Sequence, residues 1–191
     1  MVTRIFFSAL MLVASPGFSQ QKPDFTSGKP IKFNLALNQG FMLQHKNTDL
    51  YISGNLEYFP EKNISIRGDC FWYIDSRQKT PVLKQNLIVL FGALVHLPMG
   101  RSDIYAGLQP GVSYTRPNNT SDDYSGLPSR LMPVISISAG YTLYFSKFAD
   151  FFLAANYMIS RYRGSSSGSI KLDEIMISGG LGFHINTKKK I

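Results

Sequence analysis

Three histidines and a few acidic and basic side chains are the residues of this sequence that could do chemistry. The histidines are His45, His96 and His184, and a catalytic histidine needs a serine and a carboxylate beside it. No Ser/His/acid phrase surrounds His45, which lies in a polar segment. The spacing of histidines and carboxylates also fits no metal-ligand motif. We therefore predict no catalytic, cofactor-binding or metal-binding residues, and no enzyme.

The ionisable residues instead share one face of alternating segments, because side chains two apart along a β-strand point the same way. Charges do not persist unpaired in a dry interior, so we expect Arg67 to bridge Glu57 and Asp69 in a structural charge network that also includes Glu174. A gate or ion-selective constriction is the functional alternative. The polar face as a whole holds Glu57, Arg67, Asp69, Lys84, His96, Glu174 and His184, with Asn34, Asn55, Asn86, Gln109 and Asn156.

The elements that position these residues are eight segments with a period of two. In the last segment, apolar Ile175, Ile177 and Leu181 alternate with Glu174 and His184, which no helical spacing reproduces. The predicted strands are 31–38, 48–59, 63–74, 83–97, 103–115, 132–146, 149–162 and 171–186.

Long and short connections alternate between these strands. Links 60–62, 98–102 and 147–148 are short, whereas links 39–47, 75–82, 116–131 and 163–170 are long. This order is typical of an outer-membrane barrel, with short periplasmic turns, longer outer loops and both termini on the periplasmic side. The fold class predicted is therefore all-β, an eight-stranded antiparallel up-and-down transmembrane β-barrel, whose interior side chains would just fill.

The N-terminus reads as a secretory signal peptide. Arg4 precedes an apolar run from Ile5 to Ala14, and small residues precede a cleavage point after Ser19. Cys70 is the only cysteine, so an intramolecular disulfide is impossible. We predict a signal peptide at 1–19, a periplasmic lead-in at 20–30, the barrel at 31–187 and a basic tail at 188–191.

Three segments carry a family resemblance: "GNLEYFPEKNISIRGDCFWYID", "IYAGLQPGVSY" and "IMISGGLGFHI". They resemble the small outer-membrane β-barrel domains of the OmpA/OmpX type, particularly the form common in Bacteroidota. The resemblance covers nearly all of the chain after the signal peptide. It implies location in the outer membrane, insertion by the barrel-assembly machinery, and no particular activity.

Charge points to a lipid partner. The chain has 20 Lys and Arg against 12 Asp and Glu, a net charge of +8, which becomes +7 when Arg4 leaves with the signal peptide. The basic residues are dispersed rather than clustered with aromatics, so we expect no nucleic acid. We expect outer-loop cations to meet lipopolysaccharide phosphates instead. These residues are Lys46, Arg77, Lys79, Arg116, Arg130, Arg161 and Arg163.

The leading functional hypothesis is a non-enzymatic outer-membrane protein that serves envelope integrity or binds a surface or periplasmic partner. The alternatives are a narrow conduit or secretion accessory, and a lipid A-modifying enzyme dependent on His45. A soluble, lipocalin-like barrel with its apolar faces turned inward is a fourth reading, since alternation alone does not say which face is inside.

Overall fold

A computed structural model of the chain describes residues 31–118, 127–165 and 168–185, and every regular element in this part is a strand. No helix within these residues is long and apolar enough to cross a membrane. The predicted signal peptide, lead-in and basic tail lie outside the described residues. The strands are β1 (Ile31–Met42), β2 (Asn47–Glu61), β3 (Ile64–Ser76), β4 (Leu83–Met99), β5 (Ser102–Pro117), β6 (Arg130–Tyr144), β7 (Ala149–Ser165), β8 (Gly168–Lys171) and β9 (Glu174–Ile185).

The strands close into an antiparallel barrel. Each of β1 to β7 pairs with the next in sequence, and β9 pairs with both β7 and β1. Residues 172 and 173 interrupt the eighth strand of the barrel, which therefore consists of two parts, β8 and β9. The predicted eight-stranded up-and-down barrel is therefore confirmed.

The register fixes the dimensions of the barrel. Paired residues followed once around the wall from Ile31 lead back to β1 at Phe41, a shift of ten residues. Eight strands with this stagger tilt by roughly 40° from the barrel axis and enclose an interior that side chains can fill. We call the end that carries Ile31 and Ile185 the inner end, and the opposite end the outer end.

The outside of the barrel is an apolar belt. Alternating side chains such as Leu35 and Leu37 of β1, and Ile135 and Ile137 of β6, are about half exposed. Along the described strands, the outward positions between the two rims hold no charged side chain. In water such a surface would be unstable, whereas a bilayer solvates it. The apolar side chains of the alternating strands therefore face outward. The lipocalin-like alternative, in which they would face inward, is wrong.

Two of the predicted outer loops are instead continuations of the strands. β1 and β2 run on to leave only a turn at 43–46, in which Lys46 has φ of 49°. β7 and β8 likewise form a hairpin over most of the link predicted at 163–170. Backbone pairing continues beyond the belt, so only the connections at 77–82 and 118–129 remain as longer outer links.

The tight wall depends on glycines where strands approach closely. A Cβ atom added to Gly111 on β5 would lie 2.1 Å from the carbonyl oxygen of Val89 on β4. At the lipid-facing Gly68, the nearest atom to an added Cβ would be 3.7 Å away, which is ordinary contact. The two glycines therefore differ in what a methyl group would do.

We expect Gly111→Ala to destabilise the barrel by about 1–3 kcal/mol, because the added methyl must push β4 and β5 apart. Gly68→Ala is the matched control and should leave stability nearly unchanged. The measurement is urea unfolding in detergent micelles, followed by the shift between folded and unfolded bands on unboiled gels. Equal stability of the two variants would contradict the close approach.

Candidate functional site

The inner half of the lumen holds a dense set of ionisable side chains, which we call the inner network. Each projects inward near the inner end of its strand, and all are almost completely buried. Its members are Lys32, Glu57, Ser65, Arg67, Asp69, His96, Asp103, Asp150 and His184.

Arg67 and Asp69 form the centre of this network. The Arg67 Nε atom lies 3.0 Å from the Asp69 carboxylate, and Gln109 donates an amide hydrogen bond to the same carboxylate. Ser138 donates to the Gln109 side-chain oxygen at 2.7 Å, and the Arg67 guanidinium lies 5.0 Å from the centre of the Tyr105 ring. The buried guanidinium thus has an anion, an amide oxygen and an aromatic face around it.

The expected bridge from Arg67 to Glu57 is not formed. The two residues are opposite each other on β3 and β2, but the guanidinium turns toward Asp69 and Gln109. The Glu57 carboxylate instead accepts a hydrogen bond from Ser65 at 2.6 Å and lies 3.2 Å from His96 Nε2. His96 on β4 is therefore the basic partner of Glu57, in place of the predicted Arg67.

Ser65, His96 and Asp103 have the connectivity of a catalytic triad. The Ser65 hydroxyl lies 2.8 Å from His96 Nε2, and His96 Nδ1 lies 2.6 Å from Asp103. However, Ser65 has one proton and donates it to Glu57, while both imidazole nitrogens face carboxylates. Each ring nitrogen thus faces a carboxylate oxygen, and the serine hydroxyl directs its hydrogen bond to Glu57. We call this arrangement of paired side chains a charge clamp.

A second clamp closes the other side of the inner end. The Lys32 ammonium lies 3.1 Å from Asp150, and the same carboxylate pairs with His184. Lys32 on β1 is paired with Glu57 on β2 and, on its other side, with His184 on β9. The two clamps are therefore neighbours. Together they span the inner end of the lumen with paired charges.

The outer half of the lumen is richer in apolar side chains than the inner half, which the sequence did not predict. Many of its inward side chains pack into one buried cluster, against which partly buried Val82, Leu127 and Ile170 pack. Buried polar side chains lie beside this cluster, among them Asn86, which accepts hydrogen bonds from Ser113 and Thr115. The cluster consists of Met42, Tyr51, Phe71, Tyr73, Leu83, Ile88, Leu90, Met132, Val134, Met158, Tyr162, Leu172 and Met176.

Glu174 belongs to this outer half and not to the inner network, contrary to expectation. It starts β9 and accepts a hydrogen bond from the Tyr51 hydroxyl at 3.1 Å. Asp49 is buried at the same end, where Asn47 donates to it at 2.8 Å. Glu174 shares the lumen-facing side of its strand with the network, but its position along the barrel axis depends on the register of the strands.

Between the two halves lies one small polar cavity of about 10 Å³, room for a single water molecule. Arg67, Asp69 and Asn156 contribute polar atoms to its lining, and Phe71 and Phe152 contribute rings. Among the described residues, packed side chains fill the outer half of the lumen and ion pairs fill the inner half.

Lys84 does not face the lumen as predicted. Leu83 pairs with Pro117 and Gln85 pairs with Arg116, which leaves Lys84 as the extra residue of a β-bulge. The bulge shifts the alternation, so Lys84 is exposed at the outer end.

Exposed cations surround the outer end, and we call this set the outer rim. All the basic residues that the sequence assigned to lipopolysaccharide are exposed there, and Lys84 and Lys171 add to them. Arg161 and Lys171 are directly opposite each other on β7 and β8. His45 lies nearby, with Nε2 3.0 Å from the Lys171 carbonyl oxygen. The outer rim is Lys46, Arg77, Lys79, Lys84, Arg116, Arg130, Arg161, Arg163 and Lys171.

The sequence matches no protein-family model and no curated protein. Its fold, however, is similar to solved outer-membrane barrels. The N-terminal β-barrel domain of OprF of Pseudomonas aeruginosa has a TM-score of 0.54 and 17% identity, covering 83% of this chain and 98% of that one. OprG of the same species has a TM-score of 0.62 and 12% identity, covering 84% and 97%. Neisserial surface protein A has a TM-score of 0.58 and 12% identity, covering 83% and 97%.

These likenesses show that the chain has the fold of a small outer-membrane β-barrel. With its closed wall and its apolar belt, the protein is located in the outer membrane.

We expect Arg67→Met to cost about 3–5 kcal/mol of stability, because Asp69 would be left buried without its cation. The double variant Arg67→Met/Asp69→Asn should recover most of this loss. Lys84→Met is the control, since removing an exposed charge should change stability by less than about 0.5 kcal/mol. Unfolding in urea gives all three values, and a small effect of Arg67→Met would contradict the stabilising role of the ion pair between Arg67 and Asp69.

Proposed function

We propose that this protein is a non-enzymatic outer-membrane barrel that serves envelope integrity or surface interaction by binding lipopolysaccharide through its outer rim. The observation that carries the proposal is the charge of that rim. Nine basic side chains are exposed at the outer end, whereas Asp75 is the only fully exposed acidic side chain there among the described residues.

The pair formed by Arg161 and Lys171 supports a phosphate partner. Like charges directly opposite each other on neighbouring strands are destabilising unless an anion lies between them. Both side chains follow directly on the apolar belt, whose nearest outward member on β7 is Ile159. At this height the phosphates of outer-leaflet lipid would lie beside the barrel.

The filled lumen favours this proposal over a conduit. A pore would need a continuous polar path, and here the outer half is packed with apolar side chains. The clamp around His96 likewise favours a structural role over hydrolysis, since the Ser65 hydroxyl donates its hydrogen bond to Glu57 and not to the histidine. We further propose, on the three sequence segments that resemble them, that the chain is of the Bacteroidota type and is inserted by the barrel-assembly machinery.

We expect Arg161→Gln/Lys171→Gln to weaken binding to lipopolysaccharide by roughly 30-fold at low salt, because each cation near a phosphate layer contributes about 1 kcal/mol. The measurement is the rise of the unfolding temperature of refolded protein as lipopolysaccharide is added to the micelles.

Lys62→Gln/Lys147→Gln removes the same charge from the inner end and should bind as the unaltered protein does. If both double variants bind equally well, the outer rim is not the binding surface. If the first variant also unfolds more easily without lipopolysaccharide, the two cations stabilise the fold and the proposal is wrong.

A further inference from the structure

Buried charge is distributed unequally between the two halves of the lumen. In the inner network, Lys32, Arg67, His96 and His184 stand against four carboxylates, so the charges balance when both histidines are protonated. The outer half holds two buried carboxylates and, among the described residues, no buried basic side chain. An uncompensated pair of buried negative charges is costly, so something must balance them.

The two carboxylates are Asp49 and Glu174, and a glycine brings them together. Gly40 on β1 is the pairing partner of Asp49 on β2. The Glu174 carboxylate folds from β9 over Gly40, where an added Cβ would lie 1.8 Å from its Oε1 atom. Glu174 thereby reaches across β1 to Tyr51, which lies two residues from Asp49 on the same face of β2.

Each carboxylate presents one oxygen that has no hydrogen-bond partner. These atoms are Asp49 Oδ2 and Glu174 Oε1, and both are buried. The other two oxygens receive hydrogen bonds from Asn47 and Tyr51, which are neutral donors. Elsewhere in the lumen, each buried carboxylate has a basic partner within ion-pair distance, whereas Asp49 and Glu174 have none among the described residues.

We propose that Asp49 and Glu174 bind a divalent cation, Ca²⁺ by preference, at the outer end of the lumen. The donors are oxygens only, and Ca²⁺ accepts six to eight oxygens in flexible geometry, including water and neutral side chains. The Tyr51 hydroxyl places one further oxygen beside the Glu174 carboxylate, and water molecules would supply the remaining ligands. In the described chain no cluster of three or more His, Cys, Asp or Glu could hold a metal, so the site has only two acidic ligands. We therefore expect affinity of about 0.1–1 mM, as in extracellular modules.

The first test measures thermal unfolding of the full chain refolded in a maltoside detergent without lipopolysaccharide, in EDTA and in about 5 mM CaCl₂. Because no lipid phosphate is present, the outcome is independent of the outer rim. We expect CaCl₂ to raise the unfolding midpoint by about 2–8 °C. An equal midpoint in EDTA and CaCl₂ would overturn the proposal and leave a shared proton as the balancing charge.

Variants separate the site from general effects of the salt. Glu174→Gln should lose the response to CaCl₂ and should be at least as stable as the unaltered protein in EDTA, because it removes one of two like charges. Asp75→Asn is the matched control, since it removes an exposed carboxylate from the same end, and it should keep the full response. A response that survives Glu174→Gln, or that disappears in Asp75→Asn, would overturn the assignment.

A second readout does not depend on stability. Tb³⁺ substitutes for Ca²⁺ and luminesces when a nearby tyrosine is excited, and Tyr51 is hydrogen-bonded to one of the ligands. We expect tyrosine-sensitised Tb³⁺ emission that excess Ca²⁺ suppresses and that Glu174→Gln abolishes. Emission that is unchanged in Glu174→Gln would mean that Tb³⁺ binds elsewhere and would contradict the site.

Discussion

In a bilayer every backbone N–H and C=O group must find its partner within the protein, and this requirement governs the structure. It is met when β9 pairs with β1 and removes the last free edge. Once closure occurs with a stagger of ten residues from Ile31 to Phe41, strand tilt and interior width follow. Gly92, Gly107 and Gly111 then have to lack a side chain, because the wall brings β4 and β5 too close for a Cβ atom at these positions.

An interior of this width must be filled, and the chain fills its two halves differently. The inner half pairs charges from neighbouring strands, as Lys32 and Asp150 do, while the outer half packs methionines and aromatic rings. Within the described residues, side chains occupy both halves of the lumen. The same contrast distinguishes Asp49 and Glu174, which are buried in the outer half without a basic partner among the described residues.

The sequence predicted the strands, their alternation and the closed barrel, because those depend on a period of two and on turn positions. It could not predict which strands' side chains meet, since contacts such as that of Glu57 with His96 depend on register across the wall. Lys84 was misplaced because one bulged residue reverses the alternation, and nothing local marks the bulge. Glu174 shares a face with Arg67 yet lies at the other end, so face assignment alone gives no height along the axis. The clamp of Ser65, His96 and Asp103 had one signal, namely that all three lie close to inner turns.

In this barrel the odd-numbered positions of β3 face the lumen and the even-numbered positions face the lipid. Nitroxide labels placed one at a time at positions 66 to 73 of β3, with native Cys70 replaced by serine in all but one variant, test this arrangement directly. The collision rate with oxygen, which is enriched in lipid, should peak at 66, 68, 70 and 72 and should be low at the buried positions 67, 69, 71 and 73. Peaks at the odd positions would mean that the apolar face is inside and that this account of the barrel is wrong.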